Sequence, residues 1–132
     1  MKLRPLLSVF SFIVIVGGVV AVLVPTGMLY LFGVVLPNDT TVALLRIFGS
    51  MEIGVGVMAW VARNSEASQA RDAMIVGLAT LCGLAALTIL LGTVGGGFNV
   101  FGWAPAVPYG IFAALFLASA SWTRGQRAHS AA

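Results

Sequence analysis

Four apolar stretches, each close to the length needed to cross a bilayer, occupy most of the chain and are parted only by short polar or glycine-rich linkers. A helix needs about 20 apolar residues to traverse a hydrocarbon core roughly 30 Å thick. Helices are favoured there because every backbone amide must find its partner within the protein. The pattern predicts spans over 6–24, 41–62, 73–91 and 104–122. Only 8% of the 132 residues are charged and mean hydropathy is +1.06, against about 25% charged in a soluble domain. The expected fold is all-α, an antiparallel four-helix bundle forming one integral membrane domain over residues 1–132.

The linkers refine this layout. "PTG" (Pro25 to Gly27) interrupts the first apolar stretch, because proline lacks the amide that a continuing helix requires. Residues 28–36, too short to span, are expected to lie along the interface or to extend the first helix past a kink. The basic start "MKLRP" followed by an apolar run also fits a signal peptide, but no small-residue cleavage site precedes Pro25, so a retained helix is expected. "NDTT" (38–41) offers cap residues for the second span, and "GTVGGGFNVFGWAP" reads as a glycine-rich turn. Residues 123–132 read as a polar tail.

Basic residues set the orientation. Lys2, Arg4, Arg63, Arg71, Arg124 and Arg127 all fall on one side of this arrangement, and the opposite linkers contain no lysine or arginine. The positive-inside rule then puts both termini in the cytoplasm of a bacterial-type inner membrane. Trp60 and Trp122 would mark the cytoplasmic interface, Trp103 and Tyr30 the outer one.

Catalytic and cofactor signatures are missing. Cys82 is the single cysteine, which excludes an internal disulfide, and His129, the single histidine, lies in the polar tail. No phosphate loop, paired-carboxylate motif or nucleophile set is present. Neither a metal nor another cofactor is expected, and without a basic stripe no nucleic-acid partner is expected either.

Helices in lipid associate by close packing, so small residues mark contact faces. Gly49 and Gly56, two turns apart with Gly54 nearby, would pack the second span, and Gly77 and Gly83, with Ala73 and Ala79, the third. Gly17, Gly18 and Ala21 would serve the first. Within "LLRIFGSMEIGVGVMAW" (44–60) two charges stand out. Arg46 lies roughly 7 Å from the outer end at 1.5 Å per residue. It can snorkel to the headgroups or anchor an anionic group. Glu52 lies roughly 16 Å deep, where an acidic side chain costs about 2.5 to 3.5 kcal/mol. Six residues of helix turn it about 120° from Arg46, so the two are not a one-turn pair. Three solutions remain open: a protonated carboxyl bonded to a neighbour such as Thr80, Thr88 or Ser11, a proton- or cation-coupling site facing a cavity, or an ion pair with another subunit.

In "GGGFNVFGW" the glycines free the backbone, while Phe98, Phe101 and Trp103 supply apolar surface at headgroup level. Asn99 would cap the following turn or bond a loop carbonyl. A second reading makes Asn99, Trp103 and Tyr109 a recognition loop or lid at the outer mouth, with Arg46 at similar depth.

The pattern "RIFGSMEIGVGVMAWVAR", followed after a further helix by "GGGFNVFGWAPAVPYGIFAALF", resembles a type of uncharacterised bacterial four-helix membrane protein, loosely DoxX-like, over residues 42–118. That resemblance implies a four-helix fold and no established activity. In size and span count the chain is also similar to the small multidrug-resistance transporters, whose key glutamate lies in the first helix; here the first span has no acidic residue. The leading expectation is a non-enzymatic accessory or interaction subunit of a membrane complex, or a binder of a lipid or quinone-like molecule. Its partners would be membrane lipid, other membrane subunits or a second copy. The alternative is a homodimeric, proton-coupled small-solute transporter acting through Glu52.

Overall fold

A computed structural model describes residues 3–130, with side chains described for 3–121. It contains five α-helices: α1 (Leu3–Leu23), α2 (Pro25–Leu31), α3 (Asp39–Ala62), α4 (Gln69–Val94) and α5 (Trp103–Ser130), the last preceded by a 3-10 turn over Val100–Gly102. Four are long and apolar enough to cross a membrane. The chain is thus an all-α, multi-pass membrane protein, with no strand among the described residues.

Local chemistry explains most of the boundaries. Val24 breaks the helix with φ −128° and ψ 49°, and Pro25, whose fixed φ suits a first helical position, restarts it as α2. The short segment is therefore a separate helix that begins at 25 and ends at 31, ahead of a turn through Gly33 at φ +92°. The short segment expected over 28–36 after a kink is thus helical at its start, within a helix that begins at Pro25. Asn38 caps α3 by accepting from the Thr41 amide at 2.8 Å, and the Thr41 hydroxyl accepts from the Asn38 amide at 3.0 Å. This reciprocal box satisfies two donors that would otherwise be orphaned. Ser68 caps α4 in the simpler way, accepting from the Arg71 amide at 3.2 Å. Helix α4 ends at a glycine turn with Gly96 at φ +78°. Helix α5 runs through Pro108 to Ser130, so the backbone of the expected polar tail continues the fourth span. Lys2 and the side chains of Trp122, Arg124, Arg127 and His129 lie outside the described residues.

Contacts divide the chain into two compact units. One holds α1, α2 and α3 together with linker residues 97–101; the other holds α4 and α5. In the first unit α1 and α3 run antiparallel. Gly18 meets Gly49, and seven residues back along α1 and on along α3 Ser11 meets Gly56. The buried residues of α1, from Leu7 through Phe10, Ser11, Val14 and Gly18 to Ala21, recur at three- and four-residue intervals. In the second unit Gly83 lies by Ala113 and Gly110 by Ala86, again antiparallel. Ile75, Leu78, Ala79 and Cys82 are buried on α4, and Phe112, Ala113, Phe116 and Ala120 on α5, where the Phe112 and Phe116 rings stack at 6.2 Å.

Candidate functional site

The α1/α3 contact is built on bare backbone. A Cβ placed on Gly18 would lie 2.5 Å from the Gly49 carbonyl oxygen, and one on Gly49 would lie 2.6 Å from the Gly18 carbonyl oxygen. Real Cβ atoms do not approach oxygen so closely, so only glycine permits this distance between the two helices. A Cβ on Gly56 would strike Ile15 at 2.6 Å. Gly49, Gly56 and Ala59 are buried and form one face of α3. Gly83 differs, because an added Cβ there meets Ala113 at an ordinary 3.9 Å, and Gly77 has nothing within 4 Å. Gly77 is exposed and shows no close approach of the kind that Gly18 and Gly49 make.

Glu52 flanks this glycine face. It is half-buried, its Cβ 3.1 Å from the position a Gly18 Cβ would take and its Oε2 3.6 Å from that of a Gly17 Cβ. The carboxylate thus lies over a notch in α1 that two adjacent glycines create. Ser11, a proposed partner in the same unit, donates its hydroxyl to the Leu7 carbonyl at 2.6 Å; Thr80 likewise donates to Val76 at 3.0 Å, and Thr88 is exposed. Arg46 is exposed. It shares an outward stripe of α3 with Ser50 and Gly54 at four-residue spacing; Ser50 donates back to the Arg46 carbonyl at 2.9 Å, and Gly54 has nothing within 4 Å.

Asn99 is engaged at three points. Its side-chain amide donates to the Leu31 carbonyl at 2.9 Å, its backbone amide to the Phe32 carbonyl at 3.0 Å, and its Oδ1 accepts from the Phe101 amide at 2.9 Å. Phe98 meets Phe32 edge to face at 6.0 Å. Gly33 lies against the Asn99 side chain, where an added Cβ would come within 3.1 Å, so both its φ and its surroundings require glycine. Linker 97–101 is consequently a strap pinned to the end of α2. The Asn99 amide is spent on this clasp, which leaves little of it to recognise a ligand. Trp103 is exposed and Tyr109 half-buried; both belong to the α4/α5 unit.

One arrangement escaped the sequence reading. The Arg63 guanidinium carbon lies 3.2 Å from the centroid of the Trp60 ring, a cation–π contact at the end of α3. The three-residue spacing of the two on one helix was the available signal. No group of three or more His, Cys, Asp or Glu side chains placed to hold a metal occurs among the described residues. Compared with family models, with curated proteins and with solved structures, the chain finds no match.

Proposed function

We propose that this is a small, non-enzymatic integral membrane protein that works by association, as an accessory or interaction subunit of a larger membrane complex or as a holder of a lipid or quinone-like molecule. We place it in a bacterial-type inner membrane with both termini cytoplasmic, on the distribution of its arginines. The observation that carries the reading is the two-faced α3. One face is consumed by the glycine contact with α1, while the other presents Arg46, Ser50 and the open Gly54. Lipid tails gain nothing from a cation, a hydroxyl or a missing side chain, whereas another helix does. Purification from the native membrane in mild detergent followed by native mass spectrometry tests this. A stoichiometric companion, lost in Gly54→Leu while the chain stays monodisperse, is the expected result. Recovery of the bare chain alone contradicts it.

A second reading has its own support in Glu52, a half-buried carboxylate near mid-span. Under it the protein is a homodimeric, proton-coupled transporter for a small solute. Glu52→Gln keeps the shape and removes the titration. Proton-driven uptake into proteoliposomes, abolished by that change, would displace the association reading.

A further inference from the structure

The α1/α3 unit is polarised from end to end. Gly56 packs beside Ser11, its added Cβ falling 3.2 Å from the Ser11 carbonyl oxygen. The same antiparallel register, carried two turns further along each helix, would set Arg63 level with Arg4. Arg4 is exposed, and Arg63 caps α3 with its guanidinium over Trp60. Nothing acidic lies within residues 3–8 or 56–64; Glu66 follows Arg63 by three residues in the next linker, and Glu52 stands three turns back along α3. The other end of the unit has Asp39 in the first turn of α3 and no basic residue between Arg4 and Arg46.

The stacked arginine is set up in a particular way. Its Nε is buried and has no hydrogen-bond partner, and Trp60 occupies one face of the guanidinium. The fork of the two remaining terminal nitrogens has the shape that matches two oxygens of a phosphate. Trp60, near the end of a membrane-length helix, belongs at headgroup level, where an indole is favoured. A phosphate at this depth in a bilayer is most often that of a lipid.

The geometry points to a phosphate site formed by Arg63 on its Trp60 platform, joined by Arg4 from the facing end of α1, which takes the headgroup of an anionic phospholipid. The site goes beyond the association reading and does not depend on it, since neither Gly54 nor Glu52 contributes. The full chain, delipidated in mild detergent, is offered equal phosphatidylglycerol and phosphatidylcholine of one chain length, and retained lipid is weighed by native mass spectrometry. The wild type is expected to prefer phosphatidylglycerol by about tenfold, the scale of one charge-assisted bond. Arg63→Gln should abolish the preference, Arg63→Lys should weaken it because the fork is lost, and Arg4→Gln should reduce it. Arg4 is exposed, so its variant keeps the test valid should an Arg63 variant misfold. Equal retention of the two lipids by the wild type, or an undiminished preference in folded Arg63→Gln and Arg4→Gln proteins, overturns the site. Displacement of phosphatidylglycerol by millimolar inorganic phosphate would assign it to a soluble phosphate and overturn the lipid assignment.

Discussion

The α1/α3 pair and the α4/α5 pair solve the same problem, antiparallel packing of two apolar helices, by opposite means. In the first, backbone meets backbone at Gly18 and Gly49, with no room for a methyl group. In the second, Gly83 and Gly110 each leave ordinary contact distance to an alanine, at 3.9 and 4.0 Å; both pairs bury large side chains, Leu7 and Phe10 in the first and Ile75, Phe112 and Phe116 in the second. Water is absent from the bilayer core, so burial by itself supplies little drive there and contact quality decides. A glycine seam is unforgiving of additions, whereas a side-chain interface responds to deletions.

That contrast orders the expected mutational effects. Gly49→Leu or Gly18→Leu should be the most damaging, at about 3 kcal/mol or more, because backbone rather than a flexible side chain must give way. Most of the protein should then aggregate when heated in detergent and followed by size exclusion. An unchanged midpoint would dissolve the distinction between the pairs. Phe116→Ala should cost about 2 kcal/mol, below the soluble-protein range because only cavity and contact terms remain in lipid. Calorimetry of the detergent-solubilised protein reads this directly. Asn99→Ala removes the side-chain bonds of the strap and should cost about 1 to 2 kcal/mol. Amide exchange measured by mass spectrometry should rise in residues 97–101 and leave α4 unchanged. Gly83→Ala and Gly77→Ala should fall within about 0.5 kcal/mol of the wild type. A large loss at Gly83 would show that the second pair also depends on its glycine.

The sequence disclosed the number of spans, a cap within 38–41 and the small residues that approach one another at Gly18, Gly49 and Gly56, because apolar length, capping chemistry and adjacent small residues are local signals. It did not disclose faces. Phe10 is buried and Phe12 exposed, although both suit hydrocarbon, so the periodicity that reveals the inside of a soluble helix is muted. The Asn99 clasp depends on partners far away in the chain, and α2 on a restart at Pro25 that the apolar run conceals. Of the candidate site, Glu52 was visible as an anomaly, but its seat over Gly17 required the pairing of α1 with α3.

The strap also carries information about time. The bond from Asn99 to Leu31 joins residues 68 positions apart, so α3 and α4 must both have been synthesised before it can close. A chain emerging from the ribosome holds α2 with its last carbonyls open through two further insertions. The first unit is therefore completed only after the second has begun. A nascent chain arrested after Gly96 should have α1 and α3 already crosslinkable while the end of α2 is still exchanging freely, and the following five residues would act as the fastener that ends its assembly.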